Sequence, residues 1–256
     1  MLNGIHLTLM IGPAVPMPVS QDVLNALTSI EVTNNSAGPS AFQLHFTLNK
    51  QSILETLFLL AGGASIPLVR VIAAATVNGI TQVLIDGVMT NHQISPGGSA
   101  QSPSLTISGE DLTRVMDYID FSGIPYPAMP PEARVLLVLA KYAVFGVVPM
   151  IIPSILIDVP IPVQQIPRQQ GKDLAYVRQL ADEVGYVFYI EPGPNLGMSV
   201  AYWGPEIKVG VPQPALNTDM DAQTNVEALS FSYNSESAQL PIVMIQDPNS
   251  KVIIPI

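Results

Sequence analysis

Residues 41–48, AFQLHFTL, alternate without a break: Phe42, Leu44, Phe46 and Leu48 are apolar, and Gln43, His45 and Thr47 are polar. A period of two sends each set to one face of a strand, so this segment is expected to be β with one dry and one wet face. Residues 5–11 and 27–33 read as strands too, the second joined to 41–48 through the turn NNSAGPS. Residues 68–77 and 80–90 straddle Asn78-Gly79, a dipeptide that suits a two-residue hairpin loop with both φ angles positive. Asn49 can cap a short helix over 51–61 that stops at Gly62-Gly63. Residues 106–108 are expected to close this first lobe as another strand.

The period then changes. Leu112, Val115, Met116 and Ile119 recur at helical spacing, and Ser108 with Asp111 three residues on is similar to a capping box. The Pro-rich link GIPYPAMPP leads to a helix expected over 131–145, with proline in its first turn and Gly146 at its end. This helix is apolar nearly all round, with Arg134 and Lys141 on one narrow face. It is therefore expected to be buried on most sides, inside the fold or against another subunit. Residues 147–167 are rich in proline and poor in polar groups, and read as an extended connector lying on the core.

Residues 171–203 combine both periods. Leu174, Val177, Leu180, Ala181 and Val184 form an apolar helical stripe, with Asp173 in the first turn and Gly185 as the stop. Strands are expected over 186–190 and 198–203, around a Pro/Gly turn at 191–197. Lys172, Arg178, Asp182 and Glu183 should face solvent or a neighbouring subunit, with the first strand buried beneath. Further strands are expected over 207–211, 226–233, 242–246 and 251–254. The chain ends on the apolar run IIPI, which reads as one part of a longer polypeptide. The layout is α+β and β-rich: a β lobe over 1–108, a helical and α/β middle over 109–190, and a second β-rich lobe over 191–256.

Composition adds a demand for partners. A chain of 256 residues can bury roughly 70–75% of its unfolded surface, so a substantial core is expected. Hydrophobic residues make up 48% and charged ones 12%, about half the usual charged share. So few charges cannot cover a large free surface, which points to an obligate assembly. The net charge of −10 argues against static binding of nucleic-acid phosphates. With no cysteine, disulfides and thiolate metal sites are excluded. The start lacks the basic region of a signal peptide. Residues 135–157 are long enough to span a bilayer, but Lys141, Gly146, Pro149 and Pro153 interrupt them, so no membrane span is expected.

Candidate chemistry is sparse. His6, His45 and His92 lie on expected strands without metal-ligand spacing. Asp219 and Asp221 form a D-x-D lacking the glycine and closing glutamate of a calcium loop. No phosphate-binding glycine loop or nucleophile elbow occurs. The carboxylate pairs Glu110-Asp111 and Asp182-Glu183 are placed on helices, where capping and a polar face account for them. Tyr186, Phe188, Tyr189, Tyr202 and Trp203 fit a packed hairpin, without the cations of a base-stacking platform. No catalytic, cofactor-binding or metal residue is therefore nominated, no cofactor is expected, and the chain does not read as an enzyme.

Asp173, Leu174, Tyr176, Leu180, Ala181, Gly185, Tyr186, Phe188 and Tyr189 carry a resemblance. Their pattern, an acidic helix start, a small helix, a glycine and an aromatic strand, resembles the baseplate hub proteins of contractile tails. These include the phage late control gene D proteins and the N-terminal part of the valine-glycine-repeat spike proteins of secretion systems. The resemblance implies two tube-protein-like β-barrel lobes separated by mixed α/β material, with their interleaving in sequence left open. It further implies a homotrimer that joins a hexameric tail tube to a trimeric spike and adapts six-fold to three-fold symmetry. Implied partners are further copies of the chain, the tail tube protein, the spike protein and other baseplate components. The implied location is a phage virion tail or an assembled injection-system particle, after synthesis in the bacterial cytoplasm. Helix 131–145 and the connector behind it are the candidates for burial between subunits. The alternative is a β-rich ligand-binding module or hydrolase whose hairpin aromatics line a cleft.

Overall fold

The computed structural model describes residues 5–35, 38–48, 68–97, 102–154, 160–163, 166–207, 215, 217–218 and, as backbone, 244–246 and 253–255. The chain divides into two units, Met1–Glu206 and Ile207–Ile256. In the first, seven strands form one antiparallel sheet: β1 (Ile5–Gly12), β2 (Met17–Pro18), β3 (Leu27–Thr33), β4 (Ala41–Thr47), β5 (Arg70–Val77), β6 (Ile80–Ser95) and β7 (Ser104–Asp111). Their order is β2-β1-β5-β6-β7-β4-β3, and a short helix α1 (Gln21–Ala26) leads into β3. Among the described residues β2 and β3 are the margins of an open sheet, and no closed barrel is seen.

The alternating pattern places this sheet's core. Phe42, Leu44, Phe46 and Leu48 are all buried, together with Leu105 and Ile107 from β7 and Leu9 and Ile85 from β1 and β6. Each such side chain contributes roughly 1.5–3 kcal/mol on burial. Asn78 and Gly79 both have positive φ, 52° and 83°, as a tight hairpin between β5 and β6 requires. At Gly109 the Phe42 ring lies against the backbone, and a Cβ there would stand 2.3 Å from it.

A second layer follows. It holds a 3-10 turn (Leu112–Asp117), helix α2 (Pro131–Ala140), a second 3-10 turn (Ala143–Phe145), β8 (Val147–Ile151), helix α3 (Asp173–Glu183), β9 (Val187–Pro192) and β10 (Ser199–Gly204). β10 pairs parallel with β8 and antiparallel with β9. Trp203, fully buried, packs in one cluster with Val135, Val138, Tyr176 and Leu180 from the helices and Val88 from β6. In the second unit, β11 (Met244–Gln246) and β12 (Ile253–Pro255) pair antiparallel, where strands over 242–246 and 251–254 were expected.

Five expectations need correction. Ser108 lies inside β7, so there is no capping box; Asp111 itself caps, accepting from the Thr113 N–H at 2.9 Å. The segment behind it is a 3-10 turn that ends before Ile119, which is exposed. Glu110 and Asp111 accordingly end a strand. The α-helix from Pro131 stops at Ala140, and Gly146, at φ 68°, closes the 3-10 turn after it. The connector at 147–167 begins as a strand, because β10 offers it a parallel partner. The expected helix over 51–61, Asp219, Asp221 and the strands over 207–211 and 226–233 lie wholly or almost wholly outside the described residues.

Candidate functional site

Two surfaces and two buried polar clusters stand out. The wet face of the large sheet is built by strand register. Ser29, His45, Thr106 and Gln93 form one cross-strand row, and Glu31, Gln43, Ser108 and Asn91 the next. A shallow groove of about 300 Å³ runs over this face, lined by Glu31, Thr33, Gln43, Thr90, Ser108 and Glu110 among others. The His45 ring lies 3.0 Å from the Thr106 hydroxyl. His6 and His92 lie on β1 and β6, and among the described residues no three His, Asp or Glu side chains are grouped to hold a metal ion.

The second surface is apolar. α2 buries Val135, Val138 and Leu139, yet Leu136 and Leu137 are 52% and 50% exposed, and Val144 beyond it 60%. Burial on most sides, inside the fold or against another subunit, was expected; within the single chain Leu136 and Leu137 stay uncovered. Arg134 is buried, with its Nη1 donating to the Tyr176 hydroxyl at 3.2 Å, and leucines face outward. On β8, Val148 and Met150 are exposed, with Ile152 just beyond it, while Val147 is buried and Ile151 packs on the core. Among the described residues no helix is long and apolar enough to cross a membrane.

The first buried cluster joins the layers. Arg70 on β5 donates from Nε and Nη2 to the two oxygens of Asp86 on β6, at 2.7 and 2.6 Å. Its Nη1 donates to the Ala14 carbonyl at 2.7 Å and its Nη2 also to the Gly197 carbonyl at 3.1 Å. Ser199 donates to Asp86 at 2.9 Å. Every donor aimed at this carboxylate is thus matched, as burial of a charge requires. The sequence held a sign of it: one charge stands in each of the apolar runs flanking Asn78-Gly79, and the hairpin folds them together.

The second cluster surrounds Asp173, which is fully buried. It accepts from Lys141 Nζ at 2.6 Å, the Tyr142 hydroxyl at 2.7 Å and Gln169 Nε2 at 2.6 Å. Tyr126 in turn donates to Gln169 at 2.8 Å. Burial, then the Asp173 carboxylate, pushes the Tyr142 phenol well above its ordinary value. Burial, with Tyr176 and Asp173 behind it, pushes Tyr126 up to about 12. Asp111 is raised by burial, against the hydrogen bonds from Thr113 and Ser40. These groups hold elements together, and none of them lines the groove, although Glu110, next to Asp111, does.

The hairpin aromatics pack. Tyr189 stacks on Tyr202 with centroids 5.0 Å apart, and Tyr186 meets Trp203 edge-on at 4.9 Å. Asp182 and Glu183 are exposed and Arg178 half-buried, while Lys172 reaches Asp117 at 3.3 Å. Beneath them Phe188 and Ile190 are buried, though Tyr189 is exposed.

No protein-family model and no curated protein matches the chain. Among solved structures, a tail protein from Neisseria meningitidis MC58 matches with a TM-score of 0.59 and 13% identity, over 97% of this chain and 68% of that one. A chain of the Francisella PdpA-VgrG complex matches with a TM-score of 0.55 and 9% identity, over 80% of this chain and 32% of that one. At these identities the likeness is one of fold.

Proposed function

We propose that this chain is a structural hub of a contractile tail or injection-system baseplate, joining a hexameric tail tube to a trimeric spike. The observation that carries this reading is the fold shared over 97% of the chain with the Neisseria tail protein. The resemblance at Asp173–Glu183 and the strand behind it points the same way. A surface poor in charge, with Leu136, Leu137, Val148 and Met150 exposed, supports an assembled rather than a solitary molecule. In this reading three copies associate, and each contributes tube-like β-rich units, the sheet within residues 1–108 among them. The role is geometric, adapting six-fold to three-fold symmetry, and needs no catalytic group. The partners are the tube, the spike and neighbouring baseplate proteins within the particle.

Native mass measurement tests the first step: the purified chain should have three times the 27.4 kDa protomer mass. It should also co-elute with its tube protein. A monomer at all concentrations that ignores the tube protein would remove the reading.

A further inference from the structure

We propose that the margin of β3, free among the described residues, docks an extended strand from a different protein, one that places a lysine or arginine opposite Glu31. A strand at the margin of a sheet leaves alternate N–H and C=O groups without sheet partners, and proteins usually guard such margins. Among the described strands of the first unit the other margins are shorter or interrupted. β2 is two residues long, with Pro16 before it and Pro18 within it, and covers the Met10–Ile11 end of β1, leaving a free stretch there shorter than β3. On β8, the Ile152 N–H donates to the Trp203 carbonyl at 2.9 Å, and the Gly146 carbonyl accepts from Ser199 at 3.1 Å. Even-numbered residues therefore face β10, and Pro149, with no N–H to offer, faces outward. β9 ends on Pro192 and carries Glu191.

β3, LTSIEVT, is different: seven residues with no proline, lysine or arginine. Leu27, Ile30 and Val32 pack on the sheet core but stay only partly buried, so an added strand would cover them further. Charge selects the occupant. On the wet face beside β3, Glu31 lies on the marginal strand itself, while Glu110, two strands in, has the Arg114 guanidinium 3.9 Å away. A second β3 laid antiparallel would bring another Glu31 to the same face, where like charges disfavour pairing, whereas a basic strand would complement it. This proposal stands apart from the hub reading: strand docking and the trimer mass are separate readouts, and either can fail alone.

The test uses the full chain and a labelled seven-residue peptide with valine at alternate positions, threonine between, and a central lysine. Companion peptides carry glutamate or proline at the centre. Fluorescence anisotropy should show binding of the lysine peptide, up to about fivefold weaker binding of the glutamate peptide, and none of the proline peptide. Glu31→Lys, at an exposed position that leaves the circular dichroism unchanged, should invert the preference. Hydrogen exchange should slow at residues 27–33 when the peptide binds. Absence of binding, equal binding of the charged peptides, or slowed exchange confined to other strands would overturn the proposal. So would slowing at 27–33 that grows with protein concentration alone, which would assign the margin to a second copy.

Discussion

Removing the Asp86 carboxylate leaves the Arg70 guanidinium buried with only the Ala14 and Gly197 carbonyls, and takes the acceptor from Ser199. Asp86→Ala is expected to cost about 3–5 kcal/mol in urea unfolding, and Arg70→Met with Asp86→Leu much less, because an intact buried pair adds little net stability. Equal losses in the two proteins would show that the pair is not coupled. The tyrosines set an alkaline limit. Tyr142 and Tyr126 are raised in the fold, so their contribution is complete below about pH 10, the unfolded value, and is lost as pH rises towards the folded ones. Unfolding free energy should fall above pH 10, and Tyr142→Phe should flatten that fall even while losing the hydrogen bond to Asp173; a profile identical to the parent's would contradict this assignment. At Gly109, a methyl group would meet the Phe42 ring at 2.3 Å. Gly109→Ala is accordingly expected to cost about 1–3 kcal/mol through overpacking, read from the denaturation midpoint.

α2 has two unlike sides, and substitutions should separate them. Val138→Ala empties a buried position and should cost about 0.5–3 kcal/mol. Leu136→Gln with Leu137→Gln touches exposed positions and should leave stability within about 0.5 kcal/mol per site, while weakening self-association measured by sedimentation. Loss of folding in the second protein would mean that those leucines are part of the core. The elements most legible in the sequence were those specified by their own residues: β4 by alternation, the β5–β6 hairpin by Asn78-Gly79, and α3 by its stripe and Gly185. Those misread depend on distant partners. β8 exists because β10, some fifty residues later, pairs with it, and proline-rich sequence alone signals a connector. The free side of α2 could not be found from charge, because Tyr176 makes a place for Arg134 inside. The wet face of the sheet was legible strand by strand, but which strand sits at the margin follows from the strand order, which no local pattern states.

Across the whole molecule, both buried clusters and both layers lie within Met1–Glu206. A chain ending at Glu206 should therefore keep one cooperative thermal transition by circular dichroism. A broad, non-cooperative melt would show that the second unit is needed to complete the first. The Arg70–Asp86 clamp adds an element of timing. Its two charges are 16 residues apart and can meet as soon as the hairpin forms, but the Ser199 hydroxyl comes 113 residues after Asp86. At roughly 5–20 residues per second of synthesis, Ser199 is added about 6–23 s after Asp86. The clamp is complete only once the turn before β10 has been made, which ties the buried charges of the sheet to the arrival of the second layer.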